Sequence, residues 1–204
     1  APQRTAVLSD GVGELRAQIS ARTPSIQPQT LGAPRADSRT WAGATNSHPE
    51  VIATAAWLDE ECGLCASGAQ QLIAYIFAGL AALGDVPAKT TSIAERFFDD
   101  GGGMQLILHA PFGGRINKAW GLALRKRFCR GFNFELQAAA TDNGINISLA
   151  EQHSFPLADV FQFLTEQTVK ELLEQASIAS PIFKTRWRWA AGRSLQLLRF
   201  SKGK

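Results

Sequence analysis

Cysteine is scarce in this 204-residue sequence, which has three in all. So small and odd a number cannot build a disulfide framework, which points to a reducing compartment and makes the cytoplasm the expected location. No apolar run reaches the roughly 18 to 20 residues that a membrane span needs, and the N-terminus has no basic-then-apolar signal pattern, so no membrane partner is expected. His48, His109 and His153 are scattered, without ExxH or HxxxH spacing, and no metal ligand is assigned. The usual nucleotide signatures are missing too: there is no GxxxxGK(S/T) loop and no GxGxxG after a strand. Nor is there a GxSxG elbow. Asp59-Glu60-Glu61 and Asp99-Asp100 are adjacent acids of the kind that solvated helix ends and turns carry. No catalytic residue and no cofactor is therefore named within this chain, and no internal repeat is visible.

What is present is a chain 45% hydrophobic, able to bury a core in one domain or in one domain and a smaller appendage. The formal charge is only +3, but it is polarised. Thirteen of the 21 lysines and arginines lie in two segments, six between Arg115 and Arg130 and seven between Lys184 and Lys204, and neither segment contains an acid. The rest of the chain is net acidic.

Val12, Leu15 and Ile19 have helical spacing, with Ser9 or Asp10 as the cap, so residues 1–22 read as the end of a preceding element with a short helix. Residues 23–48, with Pro24, Pro28 and Pro34 among Ser, Thr and Gln, read as a loop or linker. Pro49 to Cys62 and Leu64 to Leu83 predict an antiparallel helical hairpin closed by Gly63 and Gly84. Thr90 to Phe98 and Gln105 to Ala110 read as paired strands, and Arg115 to Phe128 as a helix. Alternation on either side of Asn143-Gly144 predicts a second hairpin, its turn having positive φ at both central residues. Three helices follow: Pro156 to Leu164, Thr165 to Ser177, and Pro181 to about Phe200. The fold class is α+β: two small antiparallel hairpins joined by a basic helix, flanked by an N-terminal helical hairpin and C-terminal helices.

Two segments carry candidate chemistry. On the central helix Ile116, Ala119, Trp120, Ala123, Leu124 and Phe128 share one face, while Arg115, Lys118, Arg125 and Lys126 fall on another. That cationic face has no intrahelical acid to neutralise it. Gly113-Gly114 precedes the helix, either as a phosphate turn or as a plain strand-to-helix turn. In the last segment Lys184, Arg186, Arg188, Arg193 and Arg199 are interleaved with Trp187 and Trp189. Arginines follow phosphates and rings stack on bases, so this pattern suits single-stranded nucleic acid. It also suits an ordinary helix that buries Phe183, Trp187, Ala190, Ala191 and Leu198, with Trp189 the freer ring. Cys62 and Cys65 form a lone CxxC, expected to be buried or idle because no second pair completes a zinc site.

The run from Glu95 to Leu149, with Gln152 to Phe161 and the ending from Ser180 to Phe200, resembles the DEAD/DEAH-box-associated region downstream of the motor in large-helicase-related (Lhr) superfamily 2 helicases. The resemblance implies that residues 49–204 form this α+β module, truncated at both ends, in a longer ATP-dependent 3′-to-5′ DNA helicase associated with repair. ATP and Mg would then belong to motor lobes outside this chain. The partners implied are single-stranded DNA or an RNA–DNA hybrid, together with motor and winged-helix domains of the same chain. The role implied is guidance of the tracking strand, with docking on the motor, free of nucleic-acid contact, as the alternative.

Overall fold

The computed structural model describes residues 4–24, 48–132, 136–149 and 155–197, the side chain of Phe132 excepted. The linker expected at 23–48 therefore lies outside the described residues between 25 and 47, as do Phe134, Gln152, His153 and the chain after Leu197. The elements run α1 (Ala6–Ala21), α2 (Pro49–Cys62), α3 (Ala66–Leu83), β1 (Ile93–Phe98), β2 (Met104–His109), α4 (Gly114–Phe132), β3 (Gln137–Ala140), β4 (Gly144–Leu149), a 3-10 turn (Leu157–Phe161), α5 (Glu166–Ala179) and α6 (Pro181–Arg193). The α+β class holds, and the two hairpins form one four-stranded antiparallel sheet in the order β1-β2-β4-β3. The chain divides into two compact units, one of Ala1–Glu95, Ile107–Asn117 and Thr141–Ile145, the other of Arg96–Leu106, Lys118–Ala140 and Asn146–Lys204.

In the first unit α1 starts one turn earlier than its apolar spacing suggests. Its cap is Thr5, whose side chain accepts from the Leu8 amide, rather than Ser9, which is buried, or Asp10, which pairs with Lys89 at 3.4 Å. Pro49 opens α2, and left-handed Gly63 and Gly84 close α2 and α3. Ile19, Val51, Leu58, Ala69, Ile73, Ile76, Phe77 and Val86 meet in one core. The expectation that no segment is long and apolar enough to cross a membrane needs correction. The 18 residues of α3 carry no charge and meet that test by length and composition, as a helix that supplies a core does.

The second unit is centred on Phe128, Phe155 and Phe163, whose ring centroids lie 5.2–5.7 Å apart. Arg96 donates to the Phe155 carbonyl at 2.9 Å and lies over the Phe155 ring. Leu172 and Ala176 of α5 are buried, and Thr165 and Thr168 form the capping box that starts α5. The helix expected over Pro156 to Leu164 is a five-residue 3-10 turn, Leu157–Phe161, the tighter winding that short connecting segments adopt.

Two readings of local geometry change. Ile116, placed on the buried side of α4, is 51% exposed, while Asn117 is wholly buried. The Asn117 amide donates to the carbonyls of Ala110 (2.8 Å) and Thr141 (2.9 Å), tying the helix to the chain on either side of it in the first unit. The β3–β4 turn does not use positive φ at Asn143 or Gly144. Its closing bond runs from the Thr141 amide to the Gly144 carbonyl at 2.9 Å. Glycine is required at 144 for another reason: a Cβ there would run into the Leu108 carbonyl oxygen of β2.

Candidate nucleic-acid interface

At the start of α4, Gly113 has φ +90°, and a side chain on it would collide with the Ser9 hydroxyl. The Gly113 amide donates to the Asp142 carbonyl (3.0 Å), and the Gly114 amide donates to Asp142 Oδ1 (2.7 Å). Arg4 holds Asp142 from the other side, donating to its carbonyl at 2.7 Å and to Asn143 Oδ1 at 2.6 Å, with Nε 3.8 Å from Oδ2. Of the two roles the sequence leaves open for Gly113 and Gly114, this geometry is that of a strand-to-helix turn. An internal carboxylate takes the amide and the positive helix end that an anion would use. Arg115, the next residue, is exposed.

In the second unit Lys118 and Arg125 are exposed and Lys126 is half-buried. No described carboxylate pairs with Arg115, Lys118, Arg125 or Lys126. Arg127 and Arg130, which the helical-face assignment left out, lie on the same helix. Arg127 is exposed, whereas Arg130 lies 3.7 Å from Glu171 of α5 and is partly neutralised. Leu122, Arg125, Lys126, Cys129, Ala176, Ala179 and Ser180 line a cavity of about 130 Å³.

The last helix departs from the ordinary amphipathic reading. Of its residues only Ala191 is buried; Trp187 is 61% and Trp189 57% exposed, so Trp187 is not core. Leu198, the other end of the supposed buried stripe, lies outside the described residues. Phe183 and Trp187 stack on each other with centroids 6.4 Å apart and planes at 15°. The Arg186 guanidinium lies 5.9 Å from the Trp189 ring centre. Lys184, Arg186, Arg188 and Arg193 are all exposed and unpaired with any described carboxylate. A cleft of about 920 Å³ lies at the C-terminal end of α6, lined by Thr185, Arg188, Trp189, Gly192, Arg193, Leu195 and Leu197. Chemically the helix presents cations and rings together, which is what binding a flexible polyanion with aromatic bases requires.

The other candidates are not brought into this surface. Cys62 and Cys65 are exposed rather than buried, one ending α2 and the other capping α3. Among the described residues no group of three or more His, Cys, Asp or Glu gathers around a common point. His109 is paired with Glu95 at 2.8 Å, beside a cavity of about 310 Å³ in the first unit that is walled mainly by α3.

The model of the DEAD/H associated family matches residues 86–204, more than half of the chain. The chain belongs to the DEAD/H associated family. Among curated relatives, this family member is 33% identical over 124 residues to the Lhr helicase/probable uracil glycosylase of Mycolicibacterium smegmatis, an alignment covering 60% of this chain and 8% of that protein. It is 28% identical over 121 residues to the ATP-dependent helicase Lhr-Core of Sulfolobus acidocaldarius, covering 59% and 14%. With the Lhr helicase/uracil glycosylase of Escherichia coli it shares 30% over 115 residues, covering 56% and 7%. The chain thus spans a small part of each relative's length. A solved structure of Mycobacterium smegmatis helicase Lhr bound to ssDNA and AMP-PNP matches with a TM-score of 0.67 at 24% identity, over 95% of this chain and 21% of that one. The DEAD/H associated chain therefore shares its fold with a section of an Lhr helicase.

Proposed function

We propose that this chain is a nucleic-acid-contacting accessory module of an ATP-dependent 3′-to-5′ DNA helicase of the Lhr type, guiding the tracking single strand behind the motor lobes in the cytoplasm during DNA repair. The observation that carries this reading is α6, exposed along all but one residue, with Lys184, Arg186, Arg188 and Arg193 around Trp189 and no described acid paired with them. The cationic residues of α4, Arg115, Lys118, Arg125 and Lys126, add phosphate contacts. That a relative of the same fold is solved with ssDNA bound supports the choice of ligand. ATP and Mg fall to motor domains outside the matched segment.

The test is fluorescence anisotropy of labelled ssDNA with the 204-residue chain. Replacing Arg115, Lys118, Arg125 and Lys126 together by Glu should weaken binding at least tenfold at low salt; unchanged binding removes those four from the interface. An RNA–DNA hybrid in parallel defines strand preference. The second reading, docking on the motor without nucleic-acid contact, draws on Ile182, Phe183 and Trp187, apolar side chains left exposed on α6. It predicts no ssDNA binding, and capture of a separately expressed motor fragment that Trp187→Ala abolishes.

A further inference from the structure

α6 ends in the common Schellman turn, but with a leucine at the left-handed position that glycine usually takes. Leu195 has φ +60°, the one non-glycine among the described residues in the left-handed region. Leucine is strained there, and residues so held cluster at ligand sites. Its own burial does not offset the strain, because it is 86% exposed. The turn is held by its amides: Leu195 donates to the Gly192 carbonyl at 3.3 Å, and Gln196 and Leu197 donate to the Ala191 carbonyl at 3.0 and 3.4 Å. The result is that Leu195 and Leu197 line the same cleft as Trp189, Arg188 and Arg193. Gly192 leaves that cleft open, since a Cβ on it would meet nothing within 4 Å.

We propose that this cleft grips one nucleobase of single-stranded DNA, stacked on Trp189 and backed by Leu195 and Leu197, with the flanking phosphates on Arg188 and Arg193. The inference rests on the nucleic-acid reading above and adds a position where a base, and not the backbone alone, is held. An exposed indole gives the base a π face, an aliphatic wall excludes water from its other side, and two guanidinium groups bracketing the ring in sequence reach the phosphates before and after it. Such a site tolerates any base, because each has a flat face. Trp187 does not line the cleft and is already stacked on Phe183, which makes it the internal control.

The experiment compares a labelled oligo(dT) of about 15 nucleotides, within the span one such platform engages, with an abasic tetrahydrofuran oligomer of equal length and charge. Anisotropy with the 204-residue chain reads both. One stacked base makes oligo(dT) roughly 5- to 150-fold the tighter ligand. Trp189→Ala should erase most of that preference and Trp189→Phe retain it, while Trp187→Ala leaves it in place. Leu195→Gly relieves the backbone strain, so the variant should melt no lower than the parent yet lose part of the preference, which separates the effect from misfolding. Equal binding of the two oligomers, or a preference untouched by Trp189→Ala, overturns the base cleft and leaves the nucleic-acid reading standing. Binding of neither overturns both.

Discussion

Asp99 organises the β1–β2 turn with its own side chain. The amides of Gly101 (3.0 Å) and Gly103 (2.8 Å) donate to its Oδ1, and Gln105 Nε2 donates to Oδ2 at 2.8 Å. The donors, Gln105 first and then Gly103, with a lesser bond from Gly101, hold the carboxyl below its ordinary Asp value and outweigh the opposing effect of desolvation. A folded pKa below the unfolded one means the ionised form favours the folded turn. That contribution is present above the ordinary Asp value and is lost as pH falls through the lowered folded value. The amide resonances of Gly101 and Gly103 should therefore titrate with a midpoint below that of an unperturbed Asp, and the titration should vanish in Asp99→Asn. A midpoint at or above the ordinary value would contradict the assignment. Asn117 works at the same scale without ionising, a buried amide bonded to two carbonyls of irregular backbone that no strand pairs.

Among the elements, α4 depends most on a residue remote in sequence. No residue just before it supplies a capping oxygen; the Gly114 amide is satisfied instead by Asp142, 28 positions away, which Arg4 in turn holds. Asp142→Ala should lower stability by about 1–2 kcal/mol, the usual loss when a cap is removed, measured as a shift in urea midpoint. Asp142→Asn should recover most of it, because an amide oxygen still accepts the bond. A fully neutral Asp142→Ala would place the capping elsewhere. The contrast with α6 is physical. One helix spends its amphipathic pattern on burying Asn117, Leu124 and Phe128, whereas the other buries only Ala191 and leaves its rings outside.

At the level of the molecule, a net charge of +3 conceals two acid-free basic segments set in an otherwise acidic chain. If those segments follow a phosphate backbone, binding releases counterions, and log K should fall with log salt at about 0.7 per phosphate neutralised on single strands. The slope for this chain should be clearly negative. Each single change Lys118→Ala, Arg125→Ala, Arg188→Ala or Arg193→Ala that removes a phosphate contact should reduce its magnitude by that step, as read from anisotropy at several salt concentrations. A slope near zero would assign the cations to some other partner.

The period of apolar residues was enough to place α2, both hairpins and the basic helix, because each element has to bury a stripe or face of its own. It was enough, too, to separate the cations of α4 from its core side. What local pattern did not contain was any contact between residues distant in sequence. Asp142 on the Gly114 amide, the Leu108 oxygen that demands Gly144, and Asn117 in place of Ile116 on the buried side of α4 all arise from segments brought together only by folding. The same holds for α6. Its composition allowed either a core helix or a binding helix, since Trp187 and Trp189 stack or bury equally well. The packing that buries Ala191 alone, and the turn at Leu195 that follows, left the rings and arginines on the surface.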